Sequence, residues 1–369
     1  MKKVDSSFDI WSPWMLRALQ LAALGDGCTS PNPLVGAVVL DSAGQLVGEG
    51  FHACAGKPHA EAIALQQAGK KAKGGTLVVT LEPCCHQGKT PPCTESILKS
   101  GISRVVVAME DPDPRVSGSG ISRLRDGGVH VLVGLFENQA AHQNRAFVFR
   151  VRNGRPWGIL KWAMSLDGRI ALPNGVSRWI SSQEARSWVH SLRSICDAVI
   201  VGGGTVRSDN PLLTSRGLSS PEPLRVVLTR SLNLPSNAQL WNTSRAKTVI
   251  AYGSDVSRDT LLQLPAAPEL LPLKSADPLE LLNALSGKGC NRVLWECGPG
   301  LATSAIQKGC VQELAVVVAP KVLGGTSAMN PLDSLGFTSM KEVLHTSNDS
   351  VKQLGQDWLF RNILLDQEV

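Results

Sequence analysis

The 369-residue sequence has few aromatic residues and no long apolar segment. Aromatic side chains make up 5% of the chain, which disfavours stacking platforms for nucleic acid. The net charge of +6 is modest and comes from scattered Lys and Arg residues, so it suits anionic small molecules better than a nucleic-acid interface. No segment approaches the roughly 20 apolar residues that span a bilayer. These absences predict a protein with neither nucleic-acid nor membrane partners.

The start of the chain lacks the apolar run of a secretory signal, since polar residues 5–7 follow Met1-Lys2-Lys3. The nine cysteines are an odd number, which would leave one thiol unpaired in a secreted protein. We therefore expect reduced thiols and a cytoplasmic location. Five cysteines are expected to be packing residues, namely Cys54, Cys85, Cys196, Cys290 and Cys310.

Length and composition indicate two domains, each large enough for its own core. Strand and helix signals alternate in the first half, which predicts a sheet covered by helices on both faces. A connecting helix is expected over residues 139–149, followed by an Asn-Gly-Arg-Pro break. We therefore predict domains at residues 1–150 and 151–369. In the second domain, Ser181 and Glu184 form a capping-box pattern that predicts a helix start.

Four residues in one order indicate a metal-dependent hydrolytic site. His59, Cys84 and Cys93 offer an imidazole and two thiolates, which suit Zn²⁺ and leave a fourth position for water. Glu61 is placed to move protons rather than to bind the metal. The order His-x-Glu followed by Pro-Cys is typical of zinc-dependent base deaminases. Single buried cysteines are usually packing residues, so the argument depends on the order of all four.

The spacing of the cysteines separates this chain from other zinc proteins. Nucleic-acid and nucleoside deaminases usually carry Pro-Cys-x-x-Cys, whereas eight residues lie between Cys84 and Cys93 here. That spacing and the scattered basic residues argue against a nucleic-acid deaminase. The other alternative, a structural zinc module, usually needs four protein ligands, and a fourth has no clear candidate.

Two glycine-rich segments in the second half each follow a predicted strand. They are residues 201–205 and residues 297–300. Backbone amides at such turns can bind the phosphate of a nucleotide. Neither segment has the Gly-x-Gly-x-x-Gly spacing, so glycine content alone favours ordinary turns.

Longer motifs in both halves resemble the bifunctional deaminase/reductase family of riboflavin biosynthesis. They comprise residues 31–38, 55–61, 80–93, 111–114, 160–171, 177–181, 204–216 and 319–325. The resemblance covers nearly the whole chain. It implies an α/β protein with an N-terminal cytidine-deaminase-like three-layer α/β/α domain and a C-terminal dihydrofolate-reductase-like α/β domain.

For the first domain, the resemblance implies zinc-dependent deamination of 2,5-diamino-6-ribosylamino-4(3H)-pyrimidinone 5′-phosphate. Zinc would be held by His59, Cys84 and Cys93, and Glu61 would be catalytic. The implied substrate contacts are Asn32, His86 and Lys89. Relatives carry Ser at the position of Cys85, which therefore is not expected to be a ligand. His52 is expected to pack or cap locally.

For the second domain, the resemblance implies reduction of the ribosyl side chain to ribityl by NADPH. The implied NADPH contacts are Ala163, Trp179, Thr205, Asp209, Gly298, Pro299, Gly300, Leu301, Ala302, Thr303 and Ser304. The implied substrate contacts are Ser177, Arg193, Leu213, Arg216 and Glu296.

The second domain departs from the family pattern at two places, one of which is Cys297, where relatives usually have a small residue. Thr229-Arg230 follows a predicted strand where relatives often have an acidic residue. Arg230 could instead bind the extra phosphate of NADPH, because a guanidinium suits phosphate. Some relatives, notably in plants, keep the reductase fold without its activity, so a deaminase with an inactive reductase-like domain is the alternative. The oligomeric state is left open, with a homo-oligomer as one outcome.

Overall fold

The computed structural model describes residues 9–85, 91–114, 116–262 and 264–365. The chain divides into two compact units, Met1–Asn153 and Gly154–Val369. Among the described residues, no helix has both the length and the apolar character needed to cross a membrane.

The first unit contains one five-stranded mixed sheet. Its strands are β1 (Gly36–Leu40), β2 (Leu46–Phe51), β3 (Thr76–Leu81), β4 (Arg104–Met109) and β5 (His130–Val133). Its helices are α1 (Ser12–Ala23), α2 (Ala60–Ala68), α3 (Cys93–Ser100), α4 (Ser119–Asp126), α5 (Glu137–Gln143) and α6 (Arg145–Asn153), with a short 3-10 helix at Gly69–Ala72. The strand order is β2-β1-β3-β4-β5; β1 is antiparallel to both neighbours, and β3, β4 and β5 are parallel.

Helices cover both faces of this sheet, as expected from the sequence. Successive strand residues point to opposite faces, so Leu77 packs with α2 and α3 while Val78 packs with α1. Gly36 permits the close approach of α1, since a Cβ there would lie 2.0 Å from the backbone oxygen of Ala18. The result is a three-layer α/β/α unit.

The second unit contains a nine-stranded sheet. Its strands are β6 (Trp157–Ser165), β7 (Ala198–Gly202), β8 (Leu224–Thr229), β9 (Thr248–Gly253), β10 (Glu269–Leu273), β11 (Arg292–Trp295), β12 (Glu313–Ala319), β13 (Thr346–Leu354) and β14 (Asp357–Leu364). Its helices are α7 (Gln183–Ser194), α8 (Gly203–Asp209), α9 (Arg258–Leu262), α10 (Pro278–Gly287) and α11 (Pro299–Gln307), with a 3-10 helix at Gln239–Trp241. The order is β10-β9-β8-β7-β11-β6-β12-β14-β13, parallel except that β14 runs antiparallel to β12 and β13.

Two local predictions were wrong. The helix predicted to start at Ser181 is capped by Ser182, whose side-chain oxygen accepts the amide of Ala185 at 3.2 Å. Ser181 lies one residue too early to reach that amide. The single connecting helix is instead α5 and α6, divided at Asn144, whose buried side chain bonds to both backbone groups of Leu34.

Candidate active sites

The proposed zinc ligands lie where strands end and helices begin. His59 directly precedes α2, Cys84 follows β3, and Cys93 is the first residue of α3. Positive potential at the start of a helix favours a thiolate over a thiol. The fold therefore brings ligands that are 25 and 34 residues apart in sequence into one cluster.

The spacing of the three ligand atoms fits a zinc ion. His59 Nδ1 lies 3.6 Å from Cys84 Sγ and 3.3 Å from Cys93 Sγ. All three atoms lie within 4.8 Å of one another. Tetrahedral zinc with Zn–N near 2.1 Å and Zn–S near 2.3 Å requires N···S separations of about 3.6 Å. This donor set and geometry can hold Zn²⁺ with one position left open.

The electrostatics of the cluster also suit a metal and a proton carrier. A hydrogen bond from Cys93 and a weaker effect of the hydrogen bond with His59 lower the pKa of Cys84 to about 4. The bond with Cys84 raises the pKa of His59. Glu61, in the first turn of α2, is buried, and this burial raises the pKa of its carboxyl group. A carboxyl group with a raised pKa can both accept and release a proton near neutral pH.

His52 joins Asn32 to the ligand histidine. Its Nδ1 lies 3.2 Å from the backbone oxygen of Pro58, and its Nε2 lies 3.0 Å from Asn32 Nδ2. Because a carbonyl oxygen only accepts, Nδ1 carries the hydrogen and Nε2 accepts from Asn32. Its ring meets that of His59 edge-on at 5.4 Å. The prediction of a packing role for His52 is confirmed, while His86 and Lys89 lie outside the described residues.

In the second unit, the two glycine-rich segments form neighbouring turns at the carboxyl ends of β7 and β11. These strands are adjacent and parallel. A Cβ added at Gly298 would meet no atom within 4 Å, and one at Gly204 would meet only the end of the Arg207 side chain, at 3.9 Å. Ligands of open α/β sheets bind at this edge, and the open space lets a cofactor approach the backbone.

Trp179 and Asp209 are both predicted NADPH contacts, and Arg178, which directly precedes Trp179, connects its loop to Asp209. Arg178 donates to the backbone oxygen of Asp209 at 2.7 Å, and Lys321 donates to that of Trp179 at 2.6 Å. The Trp179 side chain is 61% exposed, with the guanidinium of Arg186 4.4 Å from its ring centroid. An exposed aromatic ring among cationic side chains can stack on a flat anionic ligand.

The other predicted cofactor residues differ in exposure. Ala163 is half-buried in β6, Thr205 lies in the first turn of α8, and Arg230 is exposed just after β8. Gly298 caps α11, which contains Pro299, Gly300, Leu301, Ala302, Thr303 and Ser304. Ala302 and Thr303 are buried, and the amide of Ala302 donates to the backbone oxygen of Gly298 at 3.1 Å.

Arg193 and Glu296, both predicted substrate contacts, form a bidentate ion pair. Arg193 Nε and Nη2 lie 2.6 and 2.9 Å from the two carboxylate oxygens, and Nη1 donates to the backbone oxygen of Thr214 at 3.1 Å. Burial alone would raise the pKa of Glu296, but Arg193 holds it below its usual value. His190, one turn earlier on α7, lies near both Arg193 and Arg216, whose charges add to burial in lowering its pKa.

The remaining predicted substrate residues lie in loops. Leu213 is buried and Arg216 is exposed, and both have left-handed backbones, with φ of 57° and 60°. Ser177 is half-buried, and its backbone oxygen accepts the amide of Ile180 at 3.1 Å. Positive φ at two such residues in one loop marks a backbone that its surroundings must hold in place.

Comparison with known proteins matches each half of the chain to a family model. Residues 11–109 match the cytidine and deoxycytidylate deaminase zinc-binding region, and residues 156–360 match the RibD C-terminal domain. The riboflavin biosynthesis protein RibD of Synechocystis is 50% identical over 351 residues, which cover 95% of each chain. The chain belongs to the RibD family.

Solved structures agree with this assignment. RibD of Acinetobacter baumannii is 38% identical to this chain and superposes on it with a TM-score of 0.87. The match covers 98% of this chain and 100% of the Acinetobacter chain. A Thermotoga maritima diaminohydroxyphosphoribosylaminopyrimidine deaminase/5-amino-6-(5-phosphoribosylamino)uracil reductase is 33% identical, covers 97% of this chain and 100% of its own, with a TM-score of 0.87. Like RibD, the chain is a bifunctional enzyme of riboflavin biosynthesis, with a zinc-binding deaminase domain and an NADPH-dependent reductase domain.

Two charged residues near the two sites were not among the predicted site residues. Glu82 is buried next to Pro83-Cys84, and its carboxylate accepts hydrogen bonds from four backbone amides. Lys161 lies near Glu296 and Arg193, and burial lowers its pKa. Both are charged residues within or directly after otherwise apolar strands, which is the signal that could have identified them.

Proposed function

We propose that the first domain hydrolytically deaminates 2,5-diamino-6-ribosylamino-4(3H)-pyrimidinone 5′-phosphate, with zinc on His59, Cys84 and Cys93. The observation that carries this proposal is the ligand geometry beside a buried carboxyl group, that of Glu61. When bound, the metal supplies Lewis acidity that lowers the pKa of a water molecule.

Glu61 moves the protons of this reaction. Its raised pKa lets the carboxylate take a proton from the attacking water and return it to the departing amine, so that ammonia leaves. Asn32, fixed by His52, is proposed to bind the pyrimidine, with His86 and Lys89 as further substrate contacts. The Thermotoga relative is named for this diaminopyrimidine deamination, which supports the choice of substrate.

We propose that the second domain reduces C1′ of the ring-opened ribosyl chain to give the ribitylamino product. Bound NADPH supplies the hydride. The proposed cofactor contacts are the backbone of residues 298–304, the Ala163 and Thr205 positions, Trp179 and Asp209, with Arg230 on the extra phosphate. The open space beside Gly204 and Gly298 and the exposure of Trp179 support this placement.

The substrate side of the reductase is proposed to consist of Ser177, Leu213, Arg216 and the Arg193–Glu296 pair. Arg193 uses three of its five N–H groups on Glu296 and Thr214, so two remain for a ligand. Arg216 carries an exposed charge suited to the substrate phosphate. The chain's own task is to align the sugar with the nicotinamide and exclude water.

One assay tests both halves. Purified protein is supplied with the diaminopyrimidine phosphate, with and without NADPH, while ammonia release and NADPH oxidation are recorded. We expect ammonia release in both cases and NADPH oxidation only after deamination. Chelation of zinc should stop ammonia release, and added zinc should restore it. Ammonia release that survives complete zinc removal would contradict the deaminase mechanism.

We further propose a cytoplasmic homo-oligomer. No disulfide joins the nine cysteines, all of which lie in the described part of the chain, and this suits a reducing compartment. Val351, Trp358 and Phe360 are exposed on one face of the β13–β14 hairpin, at the end of the large sheet. Exposed apolar side chains grouped in this way are typical of subunit interfaces. Light scattering of the purified chain measures its molar mass and so determines the oligomeric state.

A further inference from the structure

The loop that carries Arg216 is held by a residue outside the proposed substrate site. Glu222 Oε2 accepts the amide of Ser215 at 2.5 Å, and Glu222 Oε1 accepts the amide of Gly217 at 2.8 Å. These amides belong to the residues directly before and after Arg216. One carboxylate therefore holds the peptide group between Thr214 and Ser215 and the peptide group between Arg216 and Gly217, and so spans the backbone of Arg216.

This loop needs such support because its backbone is unusual. Arg216 has φ of 60° and Gly217 has φ of 84°, so two consecutive residues are left-handed. For a residue with a side chain, this conformation persists only where neighbouring groups fix it. Ser215 is fully buried and its side-chain oxygen accepts the amide of Ser219 at 3.1 Å, which anchors the preceding residue from the other side.

The same loop also reaches the second arginine of the site. The backbone oxygen of Thr214 accepts Arg193 Nη1 at 3.1 Å. Burial alone would raise the pKa of Glu222, but hydrogen bonds from Ser215 and Gly217 and the charge of Arg193 hold it below its usual value. Glu222 is thus a carboxylate at neutral pH, which can only accept hydrogen bonds.

We propose that Glu222 is a positioning residue of the reductase, which holds Arg216 in the conformation that binds the phosphate of the substrate. This rests on the proposed role of Arg216. Glu222 would act through its hydrogen bonds to the amides of Ser215 and Gly217 and would not touch the substrate. Its contribution should therefore disappear when Arg216 is absent or when the substrate has no phosphate.

Two variants test the proposal by steady-state kinetics on the deaminated substrate. Glu222→Ala removes the hydrogen bonds to the amides of Ser215 and Gly217. It should raise KM about tenfold, with kcat within about twofold, because it weakens the charge-assisted interaction between Arg216 and the substrate phosphate. Glu222→Gln should raise KM less, because its amide oxygen still accepts one N–H. For the dephosphorylated substrate, neither variant should change KM. NADPH affinity and ammonia release should match the wild type.

Two controls accompany these variants. Glu342→Gln alters another loop carboxylate, which accepts the amide of Thr338 at 2.9 Å, and should leave KM unchanged. In an Arg216→Ala background, Glu222→Ala should raise KM no further, because interacting residues are not additive. Unfolding temperature of each protein separates a change in binding from a loss of fold.

Each contrary result has a distinct meaning. If Arg216→Ala raises KM and the two Glu222 variants do not, Glu222 does not position Arg216. If Glu222→Ala raises KM equally in the wild-type and Arg216→Ala backgrounds, its role is general stability and the proposal is wrong. If Arg216→Ala itself leaves KM unchanged, the proposed phosphate role of Arg216 fails, and the role of Glu222 fails with it.

Discussion

At the scale of single residues, the deaminase site distinguishes two adjacent cysteines. Cys84 belongs to the cluster with His59 and Cys93, whereas Cys85 is not part of it. A hydrogen bond from Cys93 lowers the pKa of Cys84 to about 4, while burial raises the pKa of Cys85. The hydrogen bond with Cys84 also raises the pKa of Cys93, so the pKa of a single thiol does not select the ligands; the closeness of Cys84 Sγ to the His59 and Cys93 ligand atoms favours Cys84.

The ligand assignment predicts a difference in metal content. Cys84→Ser and Cys93→Ser should each lose most of the bound zinc, because a hydroxyl group is a poor zinc ligand in this setting. Cys85→Ser serves as the matched control and should keep it. Elemental analysis of the three purified proteins gives the answer, and equal zinc in all three would refute the ligand set.

Arg216 and Asp209 should affect different ligands of the reductase. Arg216→Ala should raise KM for the deaminated substrate by an amount that corresponds to about 1.5–3 kcal/mol, the value of a charge-assisted hydrogen bond. Asp209→Ala should weaken NADPH more than the substrate. Cofactor titration alongside substrate kinetics separates the two effects. Loss of NADPH binding in Arg216→Ala instead would mean that the two halves of the site are exchanged.

At the scale of helices and strands, Glu82 connects the zinc-binding loop to the loop after β4. Its Oε2 accepts the amides of Asp111 and Gly118 at 3.1 and 3.0 Å, and its Oε1 accepts those of Gly120 and Ile121 at 2.8 and 3.2 Å. These last amides lie in the first turn of α4. A buried carboxylate therefore fixes the start of that helix.

Replacement of Glu82 should destabilise the deaminase domain. In Glu82→Gln, an NH₂ group would face two amide donors, at a cost of about 1–3 kcal/mol. For a domain of this size that lowers the melting temperature by about 2–4 °C per kcal/mol. Residual ammonia release after brief heating measures the stability of the deaminase domain. Residual NADPH oxidation in the same sample measures the stability of the reductase domain.

Glu95→Gln is the matched control for this experiment. Glu95 pairs with Arg123 at 2.8 Å, but both side chains are exposed, so solvent screens the pair and it should contribute little to stability. If Glu82→Gln and Glu95→Gln inactivate at the same temperature, the buried carboxylate does not stabilise α4 as described.

The regular elements near the deaminase site could be predicted because local signals and burial agree there. Helix α2 consists largely of strong helix formers, and β3 is a fully buried run of Thr, Leu and Val residues. The C-terminal hairpin of β13 and β14 could not be predicted, since β13 is largely exposed and polar and β14 pairs with β12, which is distant in sequence. Strand β10 is an edge strand that contains Pro272, which weakens its strand signal.

The candidate sites divide in the same way. The deaminase site could be predicted from the sequence alone, because the order of His59, Glu61, Cys84 and Cys93 is typical of zinc-dependent deaminases. The Arg193–Glu296 ion pair joins residues that are 103 positions apart in sequence, and no local sequence pattern predicts this contact. Such contacts depend on β7 and β11 lying side by side, which is a property of the whole sheet.

At the scale of the whole molecule, the chain combines two chemistries in two compact units. The zinc ligands and Glu61 lie within Met1–Asn153, and the proposed NADPH and substrate residues of the reductase lie within Gly154–Val369. Because the residues proposed for each reaction belong to one unit, loss of one activity should leave the other intact.

Glu61→Gln tests this central claim most directly, with ammonia release and NADPH oxidation recorded on the same protein. The isosteric amide cannot carry the proton, so ammonia release should fall by about 10²–10⁴-fold while zinc content is retained. With the diaminopyrimidine substrate, NADPH oxidation should fall in parallel. With substrate that is already deaminated, it should match the wild type. Ammonia release near the wild-type rate would contradict the account of Glu61, and lost NADPH oxidation on deaminated substrate would contradict the independence of the two sites.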